Sequence, residues 1–232
     1  MALSIAIIDS GINPLHPHVS HVTGGLAFKI DKNGRIIQEP DFSDSIGHGT
    51  AIAGIISGKA PFAEIYSVKI FFEKLNAKGD LLLTGLKWAI EKNMKIIHLS
   101  LGTEHKKYKF ELSQLCNEAF NKNIVIVSAG RNLDDEVYPA CFNSVIGVYW
   151  NRECGPENII YHPGCNIEFG ACGYPRRLPG IDQEKNFKGH SFAAAHITGK
   201  IASLPGAHPG ADTSWVREQI IHQAEKSVTS KS

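Results

Sequence analysis

Three short segments hold residue types that together could carry out acyl transfer: Asp9-Ser10-Gly11, Gly47-His48-Gly49-Thr50 and Gly189-His190-Ser191. A serine hydroxyl is a poor nucleophile at neutral pH and needs a base within hydrogen-bond reach. Histidine suits that task because it titrates near neutrality, so it can take up and return a proton. A carboxylate on the other ring nitrogen fixes the tautomer and stabilises the imidazolium. Ser191, His48 and Asp9 supply one group of each kind. Each also has a plainer reading when taken alone. Asp9 could be a strand-end turn residue supporting Ser10-Gly11, His48 a packed core histidine, and Ser191 a helix N-cap. His190 puts a second imidazole beside Ser191, either titrating near the site or packed away from it.

These residues are far apart in the chain, so a fold must gather them. Residues 4–8 form an apolar run that stops at Asp9, which reads as strand and turn. Runs at 65–72, 96–101 and 124–129 read the same way. All are rich in Ile and Val and alternate poorly, as strands buried on both faces do. Between them lie helical stripes. Leu82, Leu83, Leu86, Ala89 and Ile90 follow Asp80, and residues 110–122 repeat the pattern with Leu112, Leu115, Cys116, Ala119 and Phe120. Strand, helix, strand, helix, strand in that order predicts right-handed βαβ units and a parallel sheet. Ligands of such sheets bind beyond the strand C-terminal ends, where Asp9, Ser100 and Ala129-Gly130 fall. Apolar runs at 144–148 and 166–170 read as short strands among loops. Residues 190–204 read as a buried helix and 205–210 as a turn. Asp212 is expected to cap a last helix through Ala224, with 225–232 a polar tail. The expectation is one domain over residues 1–232, a three-layer α/β (αβα) architecture with a mostly parallel central sheet.

With 232 residues, 43% hydrophobic and 20% charged, the chain can fill a core without disulfides or a structural metal. Lys plus Arg total 24 against 23 Asp plus Glu, so no basic face points to a nucleic-acid partner. No run of about 18 apolar residues points to a membrane partner. The first residues lack the basic start of a signal peptide. Cys116, Cys141, Cys154, Cys165 and Cys172 are odd in number and irregularly spaced, which is no disulfide framework. A cytoplasmic location is the expectation. His16, His18 and His21 lie close together, as do Cys154, Cys165 and Cys172, but neither set has zinc-site spacing. Residues 56–65 hold no cluster of carboxylates for calcium. We expect neither metal nor cofactor.

In their chain order, the three segments resemble the Asp, His and Ser motifs of the subtilisin-like protease family, the subtilases. Residues 86–93 and 97–102 are similar to that family's helix and substrate-binding strand, and residues 138–148 to the segment after its oxyanion loop. The resemblance spans nearly the whole chain. It implies that Asp9, His48 and Ser191 form a catalytic triad. It implies that Ser100, Leu101 and Gly102, with Ser128, Ala129 and Gly130, bind a peptide or protein substrate in extended form. An Asn after the central strand donates to the oxyanion in the family. Here the order is Ser128-Ala129-Gly130-Arg131-Asn132, so Asn132 (or Arg131, without a gap) takes that place; both side chains can donate. Family members have Gly-Thr-Ser and then a Pro, where this chain has Gly189-His190-Ser191 and Ala195. The first strand starts at about residue 4, so no propeptide is expected. The implied activity is a serine endopeptidase working through an acyl-enzyme, with intracellular processing of a peptide precursor as its task. Two other readings stay open: an impaired domain that binds peptide or protein, and a ligase or transpeptidase in which an amine intercepts the acyl-enzyme.

Overall fold

The computed structural model describes residues 3–204 and 212–229. Its strands are β1 (Ser4–Asp9), β2 (Val22–Ile30), β3 (Ile36–Glu39), β4 (Glu64–Lys69), β5 (Ile96–Leu99), β6 (Val125–Ala129), β7 (Ile146–Trp150), β8 (Ile159–Tyr161) and β9 (Phe169–Ala171). The helices are α1 (His48–Lys59), α2 (Gly79–Glu91), α3 (Lys109–Asn121), α4 (His190–Ala202) and α5 (Thr213–Thr229). The strands make one sheet in the order β3-β2-β4-β1-β5-β6-β7-β9-β8. Only the outermost pairs, β2 with β3 and β8 with β9, run antiparallel.

Alternation within the apolar strands decides which helices cover each face. Ile5 and Ile7 of β1 pack with Ile52 of α1, Ala194 of α4 and Val216 of α5. Ala6 and Ile8 pack on the other face with Leu86 of α2 and Leu112 of α3. The protein is therefore a three-layer α/β structure with a mostly parallel sheet. Because both faces are apolar, the period of two is hidden in the sequence.

β1 lies between β4 and β5. From β4 the chain passes through α2 and re-enters the sheet at β5, on the opposite side of β1. Such a switch in strand order opens a crevice at the strand C-terminal ends. The register that sets Ile8 beside Leu99 brings Asp9 next to Ser100.

Several elements differ from the sequence reading. α1 reads poorly as a helix because Gly49, Gly54 and Gly58 are weak helix formers. It forms because tertiary contacts hold it: Ile52, Ile55 and Ile56 pack with α4, where a Cβ at Gly199 would lie 3.0 Å from the Lys59 Cβ, and Gly49, Gly54 and Gly58 admit Gly11, His18 and Arg176. β2, β3 and β8 are short or glycine-bearing and had no clear pattern. Asp212 caps α5, accepting from Ser214 N–H at 2.6 Å. That helix runs past Ala224 to Thr229, through Glu225 and Lys226, which favour helix. The turn expected at 205–210 and the last three residues of the expected tail lie outside the described residues.

Candidate active site

Asp9 ends β1, and alternation turns its side chain to the α1–α4 side. His48 is the first residue of α1. Asp44 clamps that helix start. Its Oδ1 accepts from Gly47 N–H at 2.8 Å and Ser10 Oγ at 3.0 Å, and its Oδ2 from Thr50 N–H at 2.9 Å and Thr50 Oγ1 at 2.6 Å. Gly49 permits the close approach: a Cβ there would meet the Gly11 carbonyl oxygen at 2.2 Å and Asp9 Oδ1 at 3.1 Å. With α1 held so near, His48 Nδ1 lies 2.9 Å from both Asp9 oxygens.

Both partners are almost wholly buried, Asp9 at 1% exposure and His48 at 5%. Burial pushes the Asp9 carboxyl up. The charge and hydrogen bond of His48, with hydrogen bonds from Ser100 and from Ser10 N–H, outweigh burial and hold it below the usual value. For His48, burial opposes the proton, but the Asp9 charge and hydrogen bond, helped by Asp44, raise its pKa above the ordinary imidazole value. An anionic acceptor on Nδ1 leaves Nε2 as the atom that takes a proton. The rings of Phe192 and Phe187 lie 5.0 and 5.9 Å from that of His48 and screen it from water.

Ser191 is the second residue of α4, after Gly189, whose φ of +151° is open to glycine and strained for other residues. The Ser191 hydroxyl donates to the Ser100 carbonyl oxygen at 2.9 Å, not to His48. Behind it runs a buried chain. Ser100 Oγ lies 3.0 Å from His98 Nε2, His98 Nδ1 lies 2.9 Å from Thr198 Oγ1, and Thr198 Oγ1 donates to the Ala194 carbonyl oxygen at 2.9 Å. Burial pushes His98 down to about 4 despite the opposing pull of Asp9, so the ring is neutral at pH 7.

His48 and Ser191 line one cleft of about 400 Å³. Ser100, Leu101, Gly102, Ala129 and Gly130 line it too. Ser128 does not: it is fully buried, turned by alternation away from the face that holds Val127 and Ala129. Of the two oxyanion candidates, Arg131 lines the cleft and Asn132 is absent from its lining. Asn132 opens a tight turn in which its backbone N–H and Nδ2 donate to Asp135 Oδ2 at 3.0 and 3.4 Å. Arg131 is drawn to Glu104 and to Asp135, its Nε 3.3 Å from Asp135 Oδ2. His190 lines the cleft, accepting from Trp150 N–H at Nδ1 over 3.0 Å. Among the described residues no group of three or more His, Cys, Asp or Glu is placed to hold a metal ion.

Chemically, the cleft offers a buried base, a hydroxyl and helix-start N–H groups. Three contributors carried no clear signal in the sequence. Asp44 looks like any turn aspartate, accepting from Ile46 N–H two residues on. His98 is hidden inside a strand, and Phe187 inside a loop.

The sequence profile described as the Subtilase family matches residues 2–232. The chain is 30% identical to a thermostable alkaline protease of Halalkalibacterium halodurans, covering 95% of this chain and 61% of that protein. It is 31% identical to the minor extracellular protease Epr of Bacillus subtilis, covering 94% of this chain and 34% of the other. It is 27% identical to subtilisin E of Bacillus subtilis, covering 98% and 60%. The chain thus spans about three fifths or less of these relatives' length. A crystal structure of a lanthipeptide protease shares the fold, with a TM-score of 0.72, 23% identity, and coverage of 93% of this chain and 78% of that one.

Proposed function

Because the chain belongs to the subtilase family, we propose that it is a serine endopeptidase acting through an acyl-enzyme. One observation carries this reading: the buried Asp9–His48 pair faces the cleft that Ser191 lines. Rotation about the Ser191 Cα–Cβ bond would exchange the Ser100 carbonyl for His48 Nε2 as the hydroxyl's acceptor. His48 then takes the hydroxyl proton as Oγ attacks the scissile carbonyl, Asp9 steadies the imidazolium, and His48 returns the proton to the leaving amine. Water repeats the sequence and frees the acid. Among the described residues, the backbone N–H and C=O groups of Leu101 and Gly102 carry no hydrogen bond. They suit a peptide docked as an added strand, with Ala129 and Gly130 on its other side.

The finer reading is intracellular trimming of a peptide precursor. None of the five cysteines is in a disulfide, which fits a reducing compartment. Detection of the protein in the medium but not in the cytosol would overturn that part.

A second reading rests on the Ser191–Ser100 bond: a domain that binds peptide with its nucleophile turned off. A fluorophosphonate probe separates the two. Labelling of the wild type but not of Ser191→Ala is expected; a folded wild type that stays unlabelled at pH 8 favours the binder. Mass spectrometry of products formed with an added amine separates hydrolysis from ligation.

A further inference from the structure

Addition of Ser191 to a carbonyl creates an oxyanion, which needs donors aimed at it. Ser191 N–H, near the start of α4, is one. Asn132 holds its own turn with Asp135 and is absent from the cleft lining, and Arg131 is drawn to two carboxylates, Glu104 and Asp135. We infer that the second donor is the Nε2–H of His190. This inference rests on the endopeptidase reading.

The ring's partner fixes its tautomer. Trp150 N–H donates to His190 Nδ1 over 3.0 Å. A backbone N–H can only donate, so Nδ1 carries no proton, and a neutral ring must hold its one proton on Nε2. Among the described residues that Nε2 has no hydrogen-bond partner. The half-buried ring lines the cleft with Ser191 and Gly130. It also stands on the first turn of α4, where the helix dipole favours negative charge.

The ring stays neutral. A proton on Nδ1 would set two donors against each other at Trp150. Burial and the nearby Arg131 charge also lower its pKa, against a weaker opposing pull from Asp135. His190 is thus a neutral donor of one tautomer, held by a backbone bond, and it keeps its proton throughout. Ser191 Oγ bonds to the carbonyl carbon and the C=O π pair moves onto oxygen. His48 takes the hydroxyl proton, and His190 Nε2–H donates a hydrogen bond to the oxyanion. On collapse that pair re-forms C=O, the C–N bond breaks, and the amine leaves with the proton from His48.

The test compares His190→Ala, His190→Gln, Arg131→Ala and Asn132→Ala on one quenched fluorescent peptide that the wild type cleaves. His190→Ala should lose about a hundredfold or more in kcat with KM within about twofold, as loss of one such donor does in subtilisin. His190→Gln can accept from Trp150 N–H through Oε1 and donate through Nε2; it should keep kcat within about tenfold of wild type. A peptide boronic acid should bind His190→Ala more weakly, in proportion to the loss in kcat/KM. The uncleaved peptide should bind equally well with and without His190→Ala in a Ser191→Ala background. A purely structural role would weaken both ligands together. The inference is overturned if His190→Ala, folded by circular dichroism, turns over within about threefold of wild type, or if Arg131→Ala or Asn132→Ala shows the large loss instead. It is overturned also if His190→Gln is as slow as His190→Ala while folded. A folded wild type that neither cleaves peptide nor takes the fluorophosphonate removes the endopeptidase reading and this inference together. That result differs from an active enzyme indifferent to His190.

Discussion

The Ser191 hydroxyl donates to the Ser100 carbonyl oxygen over 2.9 Å, while His48 is already bound to Asp9. In the proposed relay the buried Asp9–His48 pair is already in place, and Ser191 is the part that must turn. Replacing Ser191 by Ala removes one hydrogen bond outside the buried pair, so stability should change by no more than about 1 kcal/mol. Turnover should fall by about 10⁶, as it does in subtilisin. Urea melts and turnover of the same preparation check both. A variant that unfolds would contradict the claim that Ser191 is not structural.

The acid limb of kcat/KM should lie above the ordinary imidazole value. His48 must be neutral to act as base, and the Asp9 charge raises its pKa. Activity is therefore present at high pH and lost as pH falls through that raised value. Asp9→Asn should move the limb downward and slow turnover by about 10⁴. A pH–rate profile from pH 5 to 9 reads both, and a wild-type limb at or below the ordinary value would refute the coupling.

Stability should weaken on mild acidification. Burial holds His98 and His196 down to about 4 in the fold. Unfolded histidines titrate near 6.5, so between these values the unfolded chain binds more protons and stability falls with pH. Each histidine accounts for up to about 3 kcal/mol of that loss. His48 has the opposite sign: its raised pKa adds stability below the unfolded value and offsets part of the fall. His98→Gln should flatten the decline between pH 7 and pH 5 in urea melts. An unchanged slope would mean that His98 does not titrate as its burial requires.

Asp44→Ala should release the start of α1. It leaves Gly47 N–H, Thr50 N–H and two hydroxyls without their acceptor. The expected loss is about 2 kcal/mol or more, with kcat falling because His48 is carried on that turn. Asp44→Asn should retain part of both. Full activity in Asp44→Ala would show that the helix start needs no clamp.

Gly49→Ala tests the close approach. Its Cβ would stand 2.2 Å from the Gly11 carbonyl oxygen, a backbone atom that no side-chain rotation can move. Helix propensity alone would favour alanine by about 1 kcal/mol, but overpacking against fixed backbone, at the upper end of about 1–3 kcal/mol, should outweigh it and push His48 off Asp9. A more stable, active variant would exclude this packing.

The layers were legible because Ile-rich strands and the striped helices α2 and α3 repeat in order between residues 65 and 129. α1 was not, since its glycines serve contact with Asp9 and Gly11, His18 and Arg176, which only the tertiary structure supplies. Asp9, His48 and Ser191 stand in segments with distinctive neighbours. Asp44 binds neighbours as near as Gly47 and so looks like an ordinary turn residue, while His98 acts through Thr198, 100 residues away. No local pattern encodes such a partner. The family pattern points to an oxyanion donor after the central strand, where Asn132 turns to Asp135 and Arg131 lines the cleft. Spacing could not tell which neighbour would face the cleft.

The central claim is that His48 activates Ser191. Intact-protein mass spectrometry after mixing with an activated peptide ester at pH 8 tests it most directly. We predict one acyl adduct on the wild type, mapped to Ser191, absent from Ser191→Ala and formed orders of magnitude more slowly by His48→Ala. Equal acylation of wild type and His48→Ala, or an adduct mapped to another residue, would contradict it.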